Sequence, residues 1–256
     1  MLRGVYMAGS GMVAQQEWLD ALAGDLANLN TPGYRRIADS FASYLEPPLT
    51  RSQDGLVAAY LGNVSYGTAF LTEGAVDRQG PAVATGRSLD LALGQPGWWF
   101  AVERRDGSTG YVRTLALEVD ADGRLVTPDG LPVLGSDGKP VQLPAGTTAG
   151  QVGVDGEGRV QAAGRTVGQL ALVQLNGPIT PAADGTYDGQ PVAGAGTGGA
   201  VPPGLVESGL LEGSNVDLAA SMVDLIRAQR AYQLSASTLR TEDQLLGRLF
   251  QLPGSA

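Results

Sequence analysis

Three places in the 256-residue chain combine residue types and spacings that ligand binding or catalysis could use. Asp120-Ala-Asp-Gly123 has the opening of a calcium loop, in which alternate carboxylates and a glycine wrap an oxygen-ligated cation. The later ligands and the closing glutamate are missing, and an Asp-Gly pair between β-prone runs makes a hairpin turn, so the calcium reading is rejected. Gly194-Ala-Gly-Thr-Gly-Gly199 fits the letters of a dinucleotide fingerprint. It lacks the preceding strand, the following helix and the acidic partner that give those glycines their purpose, and it reads as a linker. Asp184 and Asp188 are a carboxylate pair of the kind glycoside hydrolysis needs, but they sit in a glycine-rich segment with no sign of a rigid cleft. Histidine and cysteine are both absent. That removes the commonest general base, the commonest metal ligand, thiolate nucleophiles and disulfides together. The chain is therefore expected not to be an enzyme, and no catalytic residue, metal site or cofactor is assigned.

The elements that would have to carry any site fall into a clear order. From Leu2 to Leu29, apolar or small residues recur at spacings of 3 and 4 (Leu2, Val5, Gly9, Met12, Leu19, Leu22, Leu26, Leu29) with Gln16 as the polar exception, the pattern of an amphipathic helix. Asn30-Thr31-Pro32-Gly33 stops it, since proline disfavours helical geometry at the residue before it and Gly33 can take a positive φ. At the other end, Ser214-Asn215-Val216-Asp217 reads as a capping box with Ser214 as N-cap and Asp217 at the third helical position. A seam at alternating spacings of 4 and 3 follows: Leu218, Met222, Leu225, Gln229, Tyr232, Ala236, Leu239, Asp243, Leu246 and Phe250, with no proline before Pro253. Gln229 on that seam would fix register at some cost in stability.

Between the helices lie short β-prone runs punctuated by Asp-Gly pairs at 54, 106, 122, 129, 137, 155, 184 and 188, as hairpins require. Strands are expected at Trp98–Val102, Tyr111–Val119, Arg124–Thr127, Val152–Val154, Val160–Ala162 and Gly168–Gln174, and an irregular return over 176–204. The 38 glycines and 15 prolines suit many turns, and 43% hydrophobic residues can build a core. The fold class is α+β, with N- and C-terminal helices packed as a coiled-coil-like pair flanking a central antiparallel β domain. Residues 1–34 with 211–256 form a terminal helical assembly domain, 35–84 a loosely placed extension, 85–175 the β domain and 176–210 a Gly/Pro-rich return. Each terminal helix leaves an apolar stripe to cover. Two helices make a thin core, so neighbouring copies of the chain are the natural source of further burial.

Charge narrows the partners. A net charge of -9 and a pI near 4.5 disfavour nucleic acid and anionic lipid, which demand a basic surface, so neither nucleic-acid binding nor lipid insertion is expected. Arg3, Glu17, Asp20 and Asp25 interrupt the first thirty residues, unlike a secretory signal, and no apolar run reaches the roughly 18 residues of a membrane span.

Ser10-Gly-Met-Val-Ala-Gln-Gln-Glu-Trp-Leu-Asp-Ala-Leu-Ala-Gly-Asp-Leu-Ala-Asn-Leu-Asn-Thr-Pro-Gly-Tyr34-Arg-Arg36 closely resembles the N-terminal signature of the bacterial flagellar rod, hook and hook-associated family. Leu211-Glu-Gly-Ser-Asn-Val-Asp-Leu-Ala-Ala-Ser-Met-Val-Asp-Leu-Ile-Arg-Ala-Gln-Arg-Ala-Tyr-Gln233 is similar to its C-terminal signature, and Thr85–Leu93, Tyr111–Arg113 and Gly123–Gly135 resemble its shared β domain. The short length and absence of a large outer insertion look most like proximal or distal rod subunits, and the opening Met1-Leu-Arg-Gly resembles rod proteins of Gram-positive bacteria. Two departures stand out: Gly97-Trp-Trp-Phe100, after an extra proline at 96, where the family has Gly-Phe-Phe, and Gly24-Asp25 where it has two asparagines; glycine weakens a helix by up to about 1 kcal/mol against alanine.

The resemblance implies a structural subunit of the flagellar basal-body rod, polymerising through its terminal helices into an axial tube that transmits torque. A hook or hook–filament junction subunit is the alternative, and a rod-associated peptidoglycan hydrolase the remote one. It further implies self-association, contacts with other rod and hook subunits, and export by the flagellar type III apparatus to an extracytoplasmic basal body without a cleaved signal peptide. The assembly interface would use Met12, Gln16, Leu19, Leu22, Leu26, Asn28, Leu29, Asn30, Thr31, Pro32, Gly33 and Tyr34 near the start. Near the end it would use Ser214, Asn215, Val216, Asp217, Met222, Leu225, Ile226, Gln229, Arg230, Tyr232, Leu239 and Leu246.

Overall fold

The computed structural model describes residues 2–44, 48–53, 56–63, 65, 67–192 and 201–251. The Asp-Gly turn at 54, the glycine run at 194–199, Pro253 and the side chain of Phe250 lie outside the described residues. The chain divides into two compact units, one of Met1–Ala27, Ala38–Glu73 and Asp217–Ala256, the other of Asn28–Ile37 and Gly74–Val216. Helices are confined to the ends and the strands between them pair antiparallel wherever their register is defined, so the fold is α+β.

The first unit holds α1 (Leu2–Ala27), α2 (Leu218–Gln251), β1 (Ile37–Tyr44), β2 (Pro48–Gln53), β3 (Leu56–Asn63) and β4 (Gly67–Ala75). β1 pairs with β4 and β2 with β3. The register of β2 against β3 shifts twice, which breaks the period-2 pattern that would mark these strands in the sequence. α1 continues through Gly24 and the buried Asp25 to Ala27, so the glycine does not end it. Trp18 on α1 meets Phe41 of β1 edge-on at 5.4 Å between centroids, and Phe41 meets Phe70 of β4 at 5.6 Å. Such T-shaped contacts add to the area they bury.

α1 packs on α2. Ser235 Oγ donates to Gln15 Oε1 at 3.1 Å, and a Cβ on Gly11 would sit 3.5 Å from the same Ser235 Oγ. One heptad earlier in α1, a Cβ on Gly4 would come within 2.8 Å of Glu242 Oε1, one heptad later in α2, so the two helices are antiparallel and close. The α2 residues turned inward are Ser221, Leu225, Ala228, Tyr232, Ser235, Leu239, Glu242 and Leu246, all buried or half-buried. That line keeps Leu225, Tyr232, Leu239 and Leu246 of the expected seam. Leu218, Met222, Gln229 and Asp243 are instead exposed. Close approach selects small residues, which a count of large apolar positions overlooks.

The start of α2 also differs from expectation. The helix begins at Leu218 and Asp217 is its N-cap, with Oδ1 accepting from the N–H groups of Ala219 at 2.9 Å and Ala220 at 3.1 Å. Ser214 lies outside the helix, its Oγ accepting from Val216 N.

The second unit holds β5 (Ala82–Ala84), β6 (Asp90–Leu93), β7 (Trp98–Glu103), β8 (Thr109–Val112), β9 (Thr114–Ala116), β10 (Glu118–Val119), β11 (Leu125–Val126), β12 (Val152–Val154) and β13 (Arg159–Ala162). It continues with β14 (Arg165–Gln169), β15 (Leu172–Pro181), β16 (Tyr187–Pro191), β17 (Val206–Ser208) and β18 (Leu210–Glu212). β15, β16, β8 and β7 close into a four-stranded barrel, and the remaining strands form the sheets β17-β6-β9 and β12-β13-β14 and the pairs β10-β11 and β18-β5. β7 is buried on both faces: Trp98, Phe100 and Val102 enter one hydrophobic cluster, Trp99 and Ala101 another. The strand expected over 111–119 is divided into β8, β9 and β10, and that over 168–174 between β14 and β15. Residues 172–191, expected to become irregular from 176, form the β15–β16 hairpin.

Gly107, Gly123, Gly130, Gly138 and Gly185, each following an aspartate, take φ from 74 to 81°, as hairpin turns require. The Asp-Gly pair at 188 instead lies inside β16. Two hairpins share one staple. Asp120 accepts from the backbone N of Arg124 at 2.7 Å and from its Nε at 2.8 Å, and Asp155 accepts from Arg159 N at 2.9 Å and Nε at 2.7 Å. The Arg124 backbone bond, then its guanidinium, holds the Asp120 carboxyl below its ordinary 3.8. Burial pushes Asp155 up, but the side-chain and backbone bonds from Arg159 outweigh it and the net shift is again downward. A lowered folded pKa stabilises the fold above 3.8 and is lost as pH falls through the folded value. Asp120→Asn is therefore expected to lower stability at neutral pH, with the deficit shrinking below pH 3.8 in a pH series of urea melts. The Ala163-Gly164 turn between β13 and β14 places an alanine at φ 49°. Ala163→Gly or Ala163→Asn should raise stability by about 1 kcal/mol in the same melts, because glycine and asparagine tolerate that region.

Candidate functional site

The two family-like signatures meet in the second unit, around the carboxylate of Glu212. Gly33 N donates to Glu212 O at 2.7 Å and Asn215 N to Tyr34 O at 3.2 Å, so the segment after α1 and the segment before α2 run bonded to each other. The turn that starts the first of these uses Gly33 at φ 73°, where a Cβ would also stand 3.0 Å from Thr114 Cγ2.

Glu212 is 1% exposed, and Arg35 and Arg113 are 0% and 1% exposed. Its Oε1 accepts from Arg35 Nη2 at 2.5 Å and from Gly80 N at 2.8 Å. Its Oε2 accepts from Arg113 Nε at 3.0 Å and lies 2.9 Å from Arg113 Nη2, so Arg113 meets one carboxylate oxygen while Arg35 meets the other. Asp77 lies 4.0 Å from Arg35 Nε and adds a second negative charge. Arg113 Nη1 donates to Trp98 O and, at 3.1 Å, to Gln95 O. Both guanidinium carbons stand by the Trp99 ring, at 6.0 Å for Arg35 and 5.7 Å for Arg113, a cation–π distance. Tyr187 packs on Trp99 at 5.1 Å and its hydroxyl accepts from Arg35 N at 2.8 Å. Burial pushes the Arg113 guanidinium below its ordinary value while Glu212 opposes that shift.

Asn215 makes a second clasp. Its Oδ1 accepts from Arg36 N at 2.6 Å and its Nδ2 donates to Val76 O and Arg78 O, each at 2.9 Å. Of the sequence-derived interface residues, Gly33, Ser214, Asn215 and Val216 are buried in this region, Asn28, Leu29 and Tyr34 half-buried, and Asn30, Thr31 and Pro32 exposed. In the first unit Leu22 is buried, Met12, Leu19, Leu26, Leu225, Tyr232, Leu239 and Leu246 are half-buried, and Gln16, Asp217, Met222, Ile226, Gln229 and Arg230 are exposed. Arg35, Arg113 and Glu212 were not among the expected residues. The available signal was charge set among apolar or glycine neighbours, in Tyr111-Val-Arg-Thr-Leu115 and Leu210-Leu-Glu-Gly213.

Beside the clasp lies a cleft of about 460 Å³ walled by Thr31, Pro32, Tyr34, Pro128, Pro181 and Asp184, among others. Asp184 and Asp188, the carboxylates with hydrolytic spacing, lie 3.3 and 2.7 Å from the two prongs of Arg104. Burial pushes Asp184 up, but bonds from Thr186 and the Arg104 charge bring it net below its ordinary value, opposite to what a general acid needs. Among the described residues no three metal-capable side chains cluster, and no helix is long and apolar enough to cross a membrane.

The fold and the clasp define a class: α+β chains that begin and end in helices, with the two connecting segments knitted together inside the β unit. Residues 207–252 match the model for the flagellar basal body rod FlgEFG protein C-terminal region, and residues 97–162 the flagellar hook protein FlgE/F/G D1 domain. The chain is 33% identical to the flagellar basal-body rod protein FlgG of Agrobacterium fabrum, over 95% of this chain and 97% of the relative. It is 30% identical to FlgG of Bacillus subtilis, over 98% and 99%, and 33% identical to the rod protein FlgF of Escherichia coli, over 90% of each. The chain belongs to the flagellar basal-body rod protein family.

Removing one partner of a buried ion pair typically costs about 3–5 kcal/mol, because the other charge stays buried and uncompensated. Glu212→Gln, which keeps the shape and removes the charge, is expected to cost that much in urea melts of the full chain.

Proposed function

We propose that this chain is a structural subunit of the bacterial flagellar basal-body rod that self-associates through its terminal helices. The observation that carries the reading is the side of each helix left in water. On α1, Tyr6 is 70% exposed and Val13 60%. On α2, Val223, Ile226 and Leu234 are exposed on the side opposite the line that faces α1, and Leu218, Met222 and Leu245 are exposed on its flanks. Large apolar side chains exposed together on one helix mark a surface that another chain covers. Further copies of the chain supply that burial, in heterologous contacts that repeat around an axis and so generate a filament rather than a closed ring.

The 4-and-3 spacing of the inner line supports a coiled-coil-like pairing of α1 with α2. Both helices line an inner tube, with the rod's torque borne by interlocked subunit interfaces. Neighbours would be copies of this chain and other rod or hook subunits, and the unfolded chain would reach its extracytoplasmic site through the flagellar type III exporter. The assembly domain of this reading begins at Asp217 on the C-terminal side: a cut at 211 would also remove Glu212 and with it the clasp.

Ile226→Asp and Leu234→Asp place charges on the outer face alone. Each variant is expected to keep its helical circular dichroism, to be exported, and to leave flagellum-deficient cells without complete rods. Normal rods from both variants would overturn the proposed face.

A further inference from the structure

We propose that Asn176 is a self-modifying site, at which the backbone nitrogen of Gly177 closes onto the side-chain amide and converts the asparagine to aspartate and isoaspartate. Asn176 is the chain's one asparagine followed by glycine; Asn28, Asn30, Asn63 and Asn215 are followed by leucine, threonine, valine and valine, residue types bulkier than glycine. The strand geometry leaves the two groups in contact. The register of β15 on β16 breaks between Asn176 and Thr180, a bulge that takes Gly177 out of the ladder. The Gly177 N–H then donates to Asn176 Oδ1 at 2.9 Å, so the nitrogen sits against its own neighbour's carboxamide instead of a facing strand. Gly177 has φ 78°, and no heavy atom lies within 4 Å of where its Cβ would be. Asn176, Gly177 and Pro178 are all exposed, giving water and base free access.

Holding the nucleophile beside its target lowers the entropic cost of ring closure. Base removes the Gly177 amide proton and the nitrogen attacks Asn176 Cγ. The new N–Cγ bond forms, the Cγ–Nδ2 bond breaks, and ammonia departs with the returned proton. One water then opens the five-membered imide at either carbonyl, giving aspartate or isoaspartate without oxidant, reductant or cofactor. The product adds a carboxylate opposite Gln190 of β16, and the iso form lengthens β15 by one backbone atom. By contrast, the carboxamide of Asn215 is held by Arg36, Val76 and Arg78, and that of Asn28 accepts from Thr31 Oγ1.

The test is incubation of the folded full chain in mildly alkaline buffer, followed by peptide mass mapping and labelling with an isoaspartyl methyltransferase. The expected result is a gain of one mass unit at Asn176 ahead of every other asparagine, with methyl label on the same peptide and none in Asn176→Gln. The folded chain should convert at least as fast as the chain unfolded in urea. Asn176 staying intact in the folded chain, converting only once unfolded, or lagging another asparagine would each overturn the proposal.

Discussion

A carboxylate taken out of water must be met by positive charge and hydrogen bonds, and the β unit is arranged around that requirement at Glu212. Its two oxygens draw in Arg35 and Arg113, 177 and 99 residues away, and Gly80 N. Its own backbone bonds Gly33 N and Thr114 Oγ1. Gly80 itself passes so close to Gly213 that a Cβ would overlap the Gly213 carbonyl. A triad like this contributes little net stability compared with apolar packing of equal volume, yet it is costly to break. Its consequence is geometric: the chain's entry into the β unit and its exit from it are tied at one place.

Trp99 links that polar centre to the hydrophobic interior. It is fully buried, lies beside both arginines and Tyr187, and belongs to the cluster formed by Ala101, Tyr111, Leu134 and Val173. Tryptophan offers the largest π face for a guanidinium, and here it stands where the resemblance leads one to expect phenylalanine. The departure in sequence therefore falls on a ring with a defined job in the clasp. The other cluster, around Leu91, Phe100, Leu115 and Leu172, is plain apolar burial and places no such demand on residue type.

Periodicity revealed the two terminal helices, and strand propensity with Asp-Gly punctuation revealed β7, β12, β13 and the antiparallel character of the middle, because each of those signals is local. The clasp was not legible. Arg35, Arg113 and Glu212 are remote from one another in sequence, and a single sequence carries no information on which charge meets which. The N-cap was misplaced from Asp217 to Ser214 because both are good capping residues and only the backbone decides between them. Large side chains define the expected seam of α2, whereas the inner line also holds Ser221, Ala228 and Ser235, the last of them set against Gly11. What remained apolar and exposed, such as Ile226 and Leu234, became visible only once the inner face was known. β1 to β4 stayed hidden because small residues and register shifts erase the alternation.

The two units differ in what they leave in water: the β unit pairs Glu212 with Arg35 and Arg113 and buries two hydrophobic clusters, while the helical unit keeps large apolar side chains such as Ile226 and Leu234 exposed. The most direct test of the rod assignment is electron microscopy of basal bodies from cells lacking this gene, with the secreted flagellar proteins collected in parallel. A rod subunit predicts absent or truncated rods and no hooks. Complete rods without hooks or filaments would contradict it and assign the chain to the hook or its junction.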